Sequence, residues 1–316
     1  MHKLDIMKKD EKITHQFDSL TDAHRAMGLP APAHPLISLL SSALPPSNPV
    51  RPPSGTHVLN FYKISYRPKL SPKLKYGQDY YDFDEGGLLF AAPGQIIGSA
   101  NGDDNDIRGC SQYALLIHPD FLWNYSLAKK IKQYGFFSYT TNEALHLSEK
   151  EKAVIISIFK NIEEELNSRI DDFSQDVIIS QIELLLTYAN RFYKRQFITR
   201  KAVSNTMLQK LEDVLDAYFA DETSINKGIP TVQYLADKLN ISPSYLSDML
   251  RSLTGQNAQQ HIHNKLIEKA KEKLSATNLS VSEVAYQLGF EHPQSFSKLF
   301  KTKTNFSPLE FRKSFN

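Results

Sequence analysis

The sequence predicts an α+β chain of two unlike domains: a β-rich front, closed into a barrel or sandwich and backed by helices, and an all-α rear with two helix-turn-helix motifs. Three observations carry that expectation. A short two-helix pattern is written twice near the end, its matching positions 49 or 50 residues apart. Short runs of β-branched and aromatic residues, parted by turn residues, fill residues 56–121. Charge also divides: residues 227–316 hold 12 Lys+Arg against 7 Asp+Glu, a net +5, which leaves −3 for the remainder of a chain whose total is +2. An acidic front and a basic rear point to a polyanion met by the rear alone, although scattered surface charge would give the same numbers.

Taken in order, residues 1–55 read as partly ordered, with a short helix from Ser19 to Met27, a strand at residues 35–40 and a Pro- and Ser-rich loop or arm over 44–55. The runs HVLNFYKISY, LLFAA and CSQYALLI then read as short strands. A helix over 148–166 follows from a capping box, Ser148 with Glu151, and from the stripe Val154, Ile155, Ile158, Phe159, Ile162 and Leu166. A second, over 172–192, carries Ile178, Ile182, Leu185, Ala189 and Phe192 at spacings of 4, 3, 4 and 3. That seam either packs on its own barrel or joins two copies. The basic run KRQFITRK reads as the connector between domains, and Met207, Leu208, Leu211, Val214, Leu215 and Tyr218 mark the helix that opens the rear domain. The expected domains are 1–146, the helices and connector 147–200, and 203–316.

The two motifs occupy 231–253 and 280–303. In the second, Ser280 and Glu283 form a capping box, Val281, Val284, Ala285 and Leu288 give one helical face, Gly289 turns the chain, and Phe296, Leu299 and Phe300 line the next helix. In the first, Val232, Leu235, Ala236 and Leu239 precede Leu246, Met249 and Leu250. The copies align with one extra residue in the second turn, near Glu291. Asn240 stands where Gly289 stands and Asn305 where Gly255 stands, and Asn is the other residue that tolerates positive φ.

Val284, Ala285, Gly289, Phe290, Ser295, Phe296, Phe300, Lys301, Pro308, Phe311 and Arg312, with Lys265, Leu266, Ala270 and Leu274 on the connecting helix, resemble the AraC/XylS family of bacterial transcription regulators. Asn305 and Ser307 depart mildly from its pattern, and Lys265 stands where the family often has Arg. The resemblance covers about the last third of the chain. More loosely, LLFAAPGQ and IHPDFL resemble the sensor half of such proteins, which implies a cupin-like β-barrel that takes a small-molecule effector, and helices that make a homodimer. It also implies that base edges are read by Ser244, Ser247 and Asp248 in the first motif and by Gln294, Ser295, Ser297 and Lys298 in the second. Gln suits adenine, Lys guanine, and Asp the cytosine amine. Arg251, Lys301 and Lys303 are placed for phosphate, which positions without specifying. The connecting helix, over 261–274, is expected to hold the two reading helices about one DNA turn apart, about 34 Å. Double-stranded DNA is then the main partner, with RNA polymerase a further one if the protein activates.

Other chemistry finds little support. His57 and His118 are far apart in sequence, and His261 and His263, two apart on a helix, do not share a face, so no metal site is expected. Phosphate loops, dinucleotide fingerprints and nucleophile elbows are absent from the sequence, and no cofactor or catalytic residue is assigned. The alternative is a cupin-like enzyme, or a protein-binding module, with a DNA-binding adaptor tail. With one cysteine, Cys110, no internal disulfide forms. No apolar run approaches the roughly 18 residues of a membrane span, and the charged start lacks an apolar run behind it, so the cytoplasm is the expected compartment.

Overall fold

Short, largely apolar runs such as Gly87–Ala91 and Tyr113–Ile117 set the strands of the front unit, and their order is dictated by long-range pairing. The computed structural model describes residues 14–41, 56–68, 75–76, 79–80, 86–97, 111–140, 143–168, 173–199, 201–220 and 228–314. Cys110 and the Pro- and Ser-rich stretch lie outside these. The chain forms two compact units, Met1–Tyr193 and Lys194–Asn316.

In the front unit β1 (Thr14–Phe17) leads into α1 (Leu20–Ala26), followed by β2 (Ile37–Ser41), β3 (Thr56–Leu59) and β4 (Tyr62–Arg67). The two-residue strands β5 (Lys75–Tyr76) and β6 (Asp79–Tyr80) pair only with each other. Then come β7 (Gly87–Ala91), β8 (Ile96–Ile97), β9 (Tyr113–Ile117), the short α2 (Leu127–Lys130) and β10 (Leu145–His146). Five strands make one antiparallel sheet in the order β10-β7-β4-β9-β2, and β1-β3-β8 make a second. Among the described residues neither sheet closes on itself.

Each face of the larger sheet is covered differently. Ile64, Leu115 and Phe90 share one face by register. That face meets helices: Tyr113 stacks on Phe159 at 5.2 Å, and Phe90 lies 4.5 Å from Phe136 and 6.3 Å from Tyr193. On the opposite face Leu116 joins Phe17, Leu20, Ala23, Met27, Leu59 and Phe61 in a separate core under α1. His24 of α1 reaches that face too, 2.9 Å from the Ser38 hydroxyl.

The helix α3 (Glu149–Asn167) begins where predicted, with the Ser148 amide donating to the Glu151 carboxylate at 2.9 Å. α4 (Ser174–Thr199) is longer than the sequence suggests. It runs through the expected connector because Gln196 and Phe197, 2% and 3% exposed, continue its buried stripe past Lys194 and Arg195. Its seam residues Ile178, Ile182, Leu185, Ala189 and Phe192 are all buried within their own chain. Of the two roles the spacing allows, they take the intrachain one.

The rear unit is helical throughout its described length: α5 (Lys201–Ala220), α6 (Val232–Leu239), α7 (Pro243–Thr254), α8 (Ala258–Ala276), α9 (Val281–Gln287), α10 (Pro293–Thr304) and α11 (Pro308–Lys313). No helix among the described residues is long and apolar enough to cross a membrane.

Candidate nucleic-acid interface

The two motifs repeat each other down to single hydrogen bonds. After α6 the Asn240 amide donates to the Asp237 carbonyl at 3.3 Å and Ile241 to Ala236 at 3.0 Å; after α9 Gly289 donates to Tyr286 and Phe290 to Ala285, both at 3.0 Å. Both are the paired bonds that satisfy the last carbonyls of a helix through a left-handed residue. Asn240 has φ 55° and Gly289 φ 86°. The extra residue of the second turn follows: α7 begins three residues after Asn240 begins its turn, α10 four after Gly289. Gly289 is further constrained, since a Cβ there would run into the backbone of Gly228.

The far ends of α7 and α10 match as well. Gly255 and Asn305, at φ 76° and 64°, donate to Arg251 and Lys301 at 3.0 and 2.9 Å. One residue earlier, the Thr254 hydroxyl donates to Leu250 and accepts from the Gln256 amide, at 2.8 and 3.2 Å. Thr304 does the same with Phe300 and Phe306, at 2.8 and 3.3 Å. These threonines were a signal within reach, since they too lie 50 residues apart in the sequence.

Burying Leu246, Met249 and Leu250 on α7, and Phe296 and Phe300 on α10, turns the remaining residues outward. On α10 Gln294, Ser295, Lys298, Lys301 and Lys303 are exposed and Ser297 is half-buried. On α7 only Arg251 of the expected contacts is exposed, while Ser244, Ser247 and Asp248 are half-buried. Tyr245, between them, is buried with its ring against Phe197 at 5.1 Å. Asp248 holds Arg251 at 2.9 Å, one helical turn away. Lys303 donates to Asn264 of α8 at 3.2 Å, which ties α10 to the connecting helix.

α8 carries a buried cation. Lys265 lies 2.8 Å from Asp216 and 3.7 Å from Glu212, both of α5, and 3.3 Å from Glu268. The Asp216 hydrogen bond, opposed by burial, holds its ammonium above the ordinary lysine pKa. It pins α5 to α8 and is spent on structure. His261 is 2.9 Å from the Thr254 hydroxyl and His263 2.9 Å from Gln259, so the two rings serve different neighbours. Burial depresses the pKa of both.

Two helix-turn-helix units joined by one long helix define the class, the architecture of a double-headed DNA-binding domain. Residues 235–314 match the family described as a helix-turn-helix domain. The chain is 28% identical over 150 residues to the transcriptional activator RhaS of Escherichia coli O1:K1 / APEC, a match covering 48% of this chain and 49% of RhaS. It thus spans about half the length of the curated relatives it matches. Similar solved structures include the C-terminal domain of the response regulator yesN from Fusobacterium nucleatum, at 30% identity, with 32% of this chain covering 93% of that one and a TM-score of 0.29. ToxT from Vibrio cholerae O395 aligns over 89% of this chain and 97% of its own at 15% identity, with a TM-score of 0.30.

Proposed function

We propose that the chain is a sequence-specific, DNA-binding transcription regulator of the AraC type and not an enzyme. The repeated turn carries this reading: two helices with matched C-terminal caps and preceding turns each turn a polar face outward, and on α10 Gln294, Ser295, Lys298, Lys301 and Lys303 of that face are exposed. Gln294, Ser295, Ser297 and Lys298 read base edges, with Ser244, Ser247 and Asp248 as a weaker second set. Arg251, Lys301 and Lys303 meet phosphate. The front unit is a cupin-like sensor that answers to a small molecule, and the protein works in the cytoplasm as a homodimer. RNA polymerase is a further partner wherever it activates.

Selecting binding sites from random DNA tests the assignment. Gln294→Ala is expected to relax the preference at one base position, a loss of about 1–3 kcal/mol of discrimination, while Ser244→Ala leaves the selected motif unchanged. A motif rewritten by Ser244→Ala but not by Gln294→Ala would reverse the roles of the two helices.

A further inference from the structure

The two motifs part company at one matched corner. In the first, Asn240 turns the chain at φ 55° and carries a Cβ, so the left-handed corner alone does not demand glycine. In the second the residue is Gly289, and a Cβ there would strike the backbone of Gly228, whose own φ is 78°. Gly228 lies just ahead of Thr231, the N-cap of α6. The entry to the first motif therefore touches the turn of the second, backbone to backbone, and only glycine permits so close an approach.

Gly228 is held there by α5. The Tyr218 hydroxyl donates to the Gly228 carbonyl at 2.8 Å. Its ring is buried and stands edge-on to Tyr234 of α6 at 5.1 Å, which fixes the hydroxyl relative to the first motif. Both motifs are also docked on α8. His261 lies 2.9 Å from the Thr254 hydroxyl at the end of α7, Lys273 donates to Gln287 of α9 at 2.9 Å, and Lys303 of α10 donates to Asn264 at 3.2 Å. A helix of 19 residues is about 28 Å long, and heads docked along it can still swing about its axis. The touch of Gly228 on Gly289 closes a triangle of α8 and the two motifs, and a closed triangle does not swing.

We infer that Tyr218, by holding Gly228 against Gly289, is a positioning residue that sets the distance and twist between the two reading helices, and with them the spacing of the DNA segments that one chain accepts. The inference rests on the DNA-reading assignment above and adds what fixes its geometry. One inserted base pair moves the second segment by about 3.4 Å and turns it by roughly 34°. Heads locked to each other cannot follow that step, and heads that swing can.

The full chain first selects its site from random DNA, and the site is then remade with one base pair added between the two read segments. Wild type is expected to bind the longer site at least about tenfold more weakly, the cost of a misplaced base contact. Tyr218→Phe keeps the ring and drops the bond, so its penalty should shrink to about threefold or less, with affinity for the selected site close to that of wild type. Gly289→Ala, studied below its melting temperature, should show the same shrinkage. Gly255→Ala, equally left-handed but with open space where its Cβ falls, should retain the wild-type penalty. A Tyr218 that served stability alone would weaken both sites alike and leave their ratio unmoved in Tyr218→Phe, which would overturn the inference. So would a shrunken penalty in Gly255→Ala, since any loosened corner would then suffice, or a selected site with a single read segment. A chain that selects no sequence at all would end the regulator reading and this inference with it.

Discussion

Gly289 and Gly255 sit in the same corner of backbone space, φ 86° and 76°, yet a methyl group meets different surroundings at each. At Gly255 a Cβ finds nothing within 4 Å, so Gly255→Ala pays only for the left-handed conformation, about 1 kcal/mol. At Gly289 the same atom strikes the Gly228 backbone and comes 2.9 Å from the Ile229 amide, so Gly289→Ala is expected to cost roughly 2–4 kcal/mol. Chemical denaturation of both variants measures the difference. Asp248 poses a second question at this scale, because an acid on a DNA-facing helix repels phosphate unless it is engaged. Its bond to Arg251 shows where it is engaged. Asp248→Ala should therefore release Arg251 to phosphate and raise affinity for unrelated DNA sequences by a few fold in a fluorescence titration, with the weak preference that Asp248 adds lost at a single base position. A loss confined to one sequence would mean that Asp248 accepts from a base.

Helix ends, more than helix middles, distinguish this domain. Thr254 and Thr304 each use one hydroxyl as donor and acceptor across a helix terminus. Thr254→Val and Thr304→Val should each lower the melting stability of the domain by about 1 kcal/mol, and together by close to the sum, since they sit in different copies. Such ends were legible in the sequence because few residues fit them: Asn240, Gly255, Gly289 and Asn305 all take positive φ as their types allow. The fall-off came where many residues fit. On α4 two heptad-spaced rows coexist, Ile178 to Phe192 and Phe173 to Arg191, and spacing names a face without naming what covers it. Lys194 and Arg195 disguised the last turns of that helix as a connector. The order of the five strands was hidden for another reason. β2 pairs with β9 across some seventy residues of chain, a register that local pattern cannot carry. On α10 the outward residue types were readable, but the half-burial of Ser244, Ser247 and Asp248 on α7 depends on packing that no motif records.

Across the rear unit, its cations divide into those that hold the fold and those open to a polyanion. Lys301→Ala should weaken binding to all sequences and flatten the salt dependence by about one phosphate contact, whereas Lys265→Met should lower stability and leave that slope alone. Titrations between about 50 and 200 mM salt separate the two. Acidity acts on the same unit through His261 and His263. Burial keeps both folded pKa values below the ordinary 6.5 or so, so the unfolded chain takes up these protons first. Stability is then complete above about pH 6.5 and declines as pH falls below it, and His263→Gln should blunt the decline in thermal melts. The duplicated turn has one more consequence. Its caps and left-handed corners lie apart from the outward side chains of α7 and α10, so either copy can acquire a new preference by surface exchange alone. Evolution, or an engineer, could rewrite one head while the other keeps the protein on its old address.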